Sequence, residues 1–88
     1  MDQLKHAKRS AVAKRSIIIH GHKTSVSLEN EFWQGLSEIA RREGTTAPKL
    51  VEQVDRGRDT CNLSSAIRIY VFNYFRMREI MSASDVME

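Results

Sequence analysis

The stretch "GHKTSVSLENEFW", residues 21–33, changes rhythm half-way along. Lys23, Ser25 and Ser27 interleave with Thr24, Val26 and Leu28, which is the period-two alternation of a strand with one buried face. Glu29-Asn30-Glu31 then leads into Phe32 and Trp33, where a helical spacing takes over. No other stretch alternates comparably, so the chain reads as mainly α with one β-strand, over about residues 16–28. A lone strand leaves both of its edges unpaired, and even a two-stranded ribbon is marginal without something packed on it. The simplest remedy is antiparallel pairing with the same strand of a second copy about a two-fold axis. Thr24, Val26 and Leu28 of both copies would then face the helices, and Lys23, Ser25 and Ser27 would face solvent. Gly21 reads as a bulge or bend, because the parity that buries Val26 and Leu28 leaves Ile17 and Ile19 on the polar face.

Downstream of the strand the spacing predicts three helices. In the first, about residues 30–43, Phe32, Leu36, Ile39 and Ala40 share one face. Gly44 supplies the stop, and Arg41 and Arg42 sit at the negative end of the helix dipole. Trp33 lies beside that face. Thr45-Thr46-Ala47-Pro48 offers a cap and a first-turn proline for a second helix, about 47–56, with Leu50, Val51 and Val54 inward and Gly57 at its end. After a loop at 57–62, a third helix, about 63–81, repeats Leu63, Ala66, Ile67, Tyr70, Val71, Tyr74 and Phe75 along one face. Ile69 and Phe72 add a second patch, and a helix apolar on more than one side must be buried on more than one side. The core, shared between two copies, is expected from Val26, Leu28, Phe32, Leu36, Ile39, Leu50, Val54, Ile67, Tyr70 and Val71. Residues 1–14 read as a flexible arm, 15–81 as the domain and 82–88 as a frayed tail.

Charge is uneven along the 88 residues: Lys5, Lys8, Arg9, Lys14, Arg15 and Lys23 stand against Asp2 in the first 23, while the whole chain carries only +3. The arm also repeats Ala-Lys-Arg-Ser at 7–10 and 13–16. Such an arm suits an anionic partner, nucleic acid above all, or is a solvated tail; composition leaves both open. The composition, 41% hydrophobic and 28% charged, is that of an ordinary globular domain. No apolar run approaches the length that spans a bilayer, and no apolar segment follows the basic N-terminus as in a secretory signal. The one cysteine, Cys61, allows no intrachain disulfide, and a cytoplasmic location is expected.

His20 and His22, with Cys61 and His6, are the candidate metal ligands, but two histidines on one strand fall short of the four that a structural zinc site needs. The blander reading is that they flank the strand and touch phosphate or a partner chain. No serine sits in a nucleophile motif, the glycines form no phosphate loop, and the acids lie at solvent spacing on helices. An enzyme is not expected, and no cofactor is implied. The aromatic residues of the third helix read as core rather than as a base-stacking platform.

The strand, the helix ending at Gly44 and the Thr45-Thr46 opening of the next helix resemble the ribbon-helix-helix (MetJ/Arc-type) DNA-binding family. "KRSIIIHGHKTSVSLENEFWQGLSEIA" together with "LSSAIRIYVFNYFR" is similar to a small bacterial subfamily of stand-alone ribbon-helix-helix proteins, over about residues 14–76. The resemblance implies an intertwined homodimer with an intermolecular two-stranded antiparallel ribbon, here followed by an extra C-terminal helix. It implies double-stranded DNA as partner, with Lys23, Ser25 and Ser27 on base edges in the major groove. Lys14, Arg15 and His22 would add phosphate contacts. The family's phosphate clamp would fall on Thr45, Thr46 and Ala47, although Pro48 removes one donor. If residues 45–61 are instead an insertion, the clamp would lie at Leu63–Ser65. A transcriptional regulator, most often a repressor in this family, is the implied function. The alternatives are a dimeric protein-interaction module, or an antitoxin-like protein that binds a partner through the third helix.

Overall fold

The computed structural model describes residues 11–58 and 62–87. Two strands, β1 (Val12–Ile19) and β2 (His22–Glu29), precede three helices: α1 (Asn30–Glu43), α2 (Ala47–Gly57) and α3 (Leu63–Met87). The strands pair antiparallel within the chain, from Ile19 opposite His22 to Val12 opposite Glu29. The expectation of one strand per chain is therefore corrected. What reads as a bend at Gly21 is a two-residue hairpin turn, with His20 at φ 52° and Gly21 at φ 77°. Left-handed conformations at both central residues define the turn whose twist matches that of its flanking strands. It also resolves the parity conflict, because folding back puts Ile17 and Ile19 on the face of Val26 and Leu28. Residues 12–14 belong to β1 and not to an arm, since their backbone has β2 to pair with.

Helix α1 matches its expected span at both ends. Its stop is a Schellman arrangement: Gly44 adopts φ 68°, and the Thr45 N–H reaches back to the Ala40 carbonyl at 2.9 Å. Helix α2 opens as its sequence suggests, the Thr46 hydroxyl accepting the Lys49 N–H at 3.4 Å with Pro48 in the first turn. Helix α3 opens on Asn62, whose side-chain carbonyl accepts the Ser65 N–H at 2.8 Å. It runs on through Met87 rather than fraying after Ser82, and the segment contains neither glycine nor proline to end it.

Ile19, Val26, Leu28, Trp33, Leu36, Ile39, Leu50, Val51, Ile67 and Val71 form one buried cluster within the chain. Of the residues expected in a core shared by two copies, Val26, Leu28, Leu36, Ile39, Leu50, Ile67 and Val71 are thus already covered by their own chain. Phe32, Val54 and Tyr70 are half-buried at the edge of that cluster. Helices α1 and α3 approach closely at Gly35, where a Cβ would stand 2.8 Å from the Val71 side chain.

Arg68 on α3 grips Glu29 at the end of β2 with two hydrogen bonds, 2.8 and 3.2 Å long. That bond holds the Glu29 carboxyl below the usual carboxylate range. A carboxyl lowered on folding stabilises the fold at neutral pH, and the contribution is lost as pH falls through the lowered value. Glu29→Gln is therefore expected to flatten part of the acid decline in melting temperature, below roughly pH 4–5. An acid limb superimposable on that of the wild type would assign the decline to other groups.

Candidate nucleic-acid interface

The hairpin register sorts its side chains onto two faces. Arg15 and Ala13 stand opposite the buried Val26 and Leu28, so they share the inward face. The outward face carries Ile18 opposite Lys23, Ser16 opposite Ser25, Lys14 opposite Ser27 and Val12 opposite Glu29. Lys23, Ser25 and Ser27, chosen from alternation in β2 alone, thus stand together on the outward face, joined there by Lys14. Lys23 and Ser25 are exposed and Ser27 is half-buried. Ser16 and Ile18 escaped the sequence reading, because their face depends on the number of residues in the turn.

The electrostatics of this face are one-sided. Glu29, its carboxylate, is engaged by Arg68. Neither Lys14 nor Lys23 makes an ion pair among the described residues. Other acids of the helices are engaged by nearby basic groups. Asp55 is held below its usual range chiefly by Arg58 and also by His20, and Glu38 chiefly by Arg42.

The remaining expected contacts do not gather on this face. Arg15 lies on the opposite face, its guanidinium 4.9 Å from the centre of the Trp33 ring. His20, at the hairpin tip, faces α2: its backbone N–H donates to Glu52 at 2.9 Å, and its imidazole Nε2 lies 3.2 Å from Asp55. A histidine pinned to a carboxylate is poorly placed to reach phosphate. His22 is exposed, opposite the buried Ile19. Thr45, Thr46 and Ala47 stand beyond the far end of α1, whose 14 residues separate them from the end of β2 by about 20 Å. There Thr46 already caps Lys49 and Pro48 has no N–H to offer. At the alternative clamp the Ser65 N–H is taken by Asn62, so neither helix start presents a full set of open amides. His6 and Cys61 lie outside the described residues, and among those described no group of three metal-ligating side chains occurs.

Residues 12–75 match the family model of the ribbon-helix-helix domain. The chain belongs to the ribbon-helix-helix family. Proteins with a ribbon-helix-helix domain generally bind DNA, dimerise and are typically non-enzymatic. Among solved structures the chain is similar to an uncharacterized protein from Bordetella pertussis Tohama I, with 35% sequence identity and a TM-score of 0.67. That likeness covers 82% of this chain and 62% of the other, so this ribbon-helix-helix chain spans less than two thirds of that protein. No curated protein matches it. Among the described residues no helix is long and apolar enough to cross a membrane.

Proposed function

We propose that the protein binds double-stranded DNA as a homodimer, with the outward face of the ribbon in the major groove, and acts as a transcriptional repressor in the cytoplasm. The observation that carries this reading is the joint placement of Lys14, Lys23, Ser25 and Ser27 on a face whose carboxylate is occupied by Arg68. Lysine donates to guanine, and serine donates or accepts on any base edge. The two-residue turn directs the N–H and C=O groups of Lys23, Ser25 and Ser27 away from β1, towards the open edge of β2. The same edge of a second copy would pair there about a two-fold axis. An intermolecular ribbon then becomes the centre of a four-stranded sheet, and the operator an inverted repeat. The basic residues before β1 would add contacts to phosphates.

The test is selection from random duplexes followed by salt-titrated binding. An inverted repeat should be enriched. Lys23→Ala should weaken its binding by about 10–100-fold per half-site while leaving the fold intact. With about 4–8 phosphates neutralised, log affinity should fall against log salt with a slope of roughly −4 to −7. Unselective binding that survives Lys23→Ala would sink the reading. A protein-interaction module is the second reading, favoured by the exposed Ile69, Phe72, Met77, Ile80 and Met81 of α3. It takes over if no duplex is enriched.

A further inference from the structure

We infer that the cavity between β1 and α1, where Arg15 and Arg41 stand, binds a small dianion, a dicarboxylate or a phosphate ester. The cavity has a volume of about 220 Å³ and is lined by Arg15, Trp33, Gln34, Ser37, Glu38 and Arg41. It lies on the inward side of the hairpin, away from Lys23, Ser25 and Ser27, so the inference is independent of the DNA-binding reading. Gln34, Ser37, Glu38 and Arg41 recur at three- and four-residue intervals, which gathers them on one side of α1. Trp33 is buried and tied to Ala13, which makes it a fixed floor. The Arg15 guanidinium is set over that floor, 4.9 Å from the ring centre. A guanidinium held in this way is pre-organised, and its donors match the paired oxygens of a carboxylate or phosphate. Among the described residues Arg15 forms neither an ion pair nor a hydrogen bond that would use them.

Charge and size narrow the occupant. Glu38 is the one carboxylate of the cavity, and Arg41 and Arg42 share it, Arg42 at 2.8 Å. Those partners hold its carboxyl below the usual range, so it is ionised at neutral pH. Arg15, Arg41 and Arg42 thus stand against a single carboxylate, which leaves an excess of two positive charges. A monoanion balances half of that excess and a dianion all of it. Ser37 and Gln34 add a hydroxyl and an amide that donate to oxygen without adding charge. The volume lies below the roughly 300–1,000 Å³ of pockets for drug-sized ligands, which selects a small solute. Duplex DNA is a poor occupant, because the cavity opens on the helix side of the sheet. In the four-stranded sheet of the proposed dimer β1 is an outer strand, so the cavity stays open on each copy.

The test titrates the full-length protein with succinate and, separately, with glycerol phosphate, a dianion at neutral pH. Ionic strength is held constant with sodium chloride, and the indole N–H resonance of Trp33, the chain's one tryptophan, is followed. At least one anion should shift it saturably, with a dissociation constant on the order of 1 mM for a ligand of about ten non-hydrogen atoms or fewer. Arg15→Gln should weaken that binding by about tenfold or more, and Arg15→Lys, which keeps the charge and loses the fork, by less. Arg41→Gln should weaken it as well, whereas Lys23→Ala on the other face should leave it unchanged. Arg15 and Arg41 are exposed, so these variants should fold, which circular dichroism checks. The inference is overturned if neither anion gives a saturable shift, or if Arg15→Gln and Arg41→Gln both bind as the wild type does. Added duplex DNA should leave the affinity for the anion unchanged. Competition between the two would make the arginines contacts for backbone phosphates and would overturn the assignment to a small ligand.

Discussion

Trp33→Ala should cost about 3–5 kcal/mol, the usual range for deleting a buried aromatic side chain. Trp33 is 3% exposed. Its indole N–H donates to the Ala13 carbonyl of β1 at 2.8 Å, and the Arg15 guanidinium covers its ring. One side chain therefore fastens β1 to α1 through packing, a hydrogen bond and a cation–π contact. Domains of this size are stabilised by about 5–15 kcal/mol, so the loss is a large share of the total. At roughly 4–8 °C per kcal/mol, the melting temperature should drop by on the order of 15 °C or more. Trp33→Phe should retain most of the packing and lose only about 0.5–1.5 kcal/mol for the hydrogen bond, because the Ala13 carbonyl keeps its partner Leu28 across the hairpin. Amide exchange adds a spatial signature: protection should fall more along β1 than along α1. A Trp33→Ala protein that melts within about 1 kcal/mol of the wild type would show that β1 is held by β2 alone.

That joint also marks where the sequence ceased to be informative. Helix α1 is legible at both ends because its signals are local: a helical spacing from Phe32 onward, and a glycine free to adopt the left-handed conformation that closes it. The start of α2 is equally local, from the Thr46 cap and Pro48. The hairpin is not, because its turn places His20 in a left-handed conformation more often held by asparagine, aspartate or glycine. The one trace was the phase conflict between Ile17, Ile19 and Val26, Leu28, which a bend and a reversal explain equally well. Once β1 is missing, the burial of Trp33 has no visible cause, and Ser16 and Ile18 have no face to belong to. Lys23, Ser25 and Ser27 survive as a group because alternation within β2 is independent of what pairs with it. The far end of α3 carries no stop signal of either kind, so composition alone suggested fraying.

Phe72→Asp should leave the chain folded and abolish its dimer. Phe72 is 61% exposed within its own chain, and it shares a side of α3 with Ile69 (55% exposed) and Ile80 (48% exposed). Beside Ile69 runs an apolar groove between α2 and α3, walled by Val54, Ala66 and Tyr70. A surface that offers both a projecting aromatic ring and an apolar groove can satisfy itself across a two-fold axis, ring into groove twice over. In the isolated chain an aspartate at this exposed position should change stability by no more than about 0.5 kcal/mol. In the dimer it would bury an unpaired carboxylate on each side of the axis. Symmetry makes the cost count twice, so at about 2 kcal/mol per copy the dimer should weaken on the order of 10³-fold. Light scattering should thus report twice the 10.1 kDa chain mass for the wild type and the single mass for Phe72→Asp at the same micromolar concentration. Binding to an inverted repeat should fall with it, since one chain engages one half-site. A Phe72→Asp protein that remains dimeric would mean that the copies meet through the open edges of β2 alone, leaving the α3 face for a different protein. A wild type that is monomeric at every concentration would remove the two-fold axis from the DNA-binding scheme altogether.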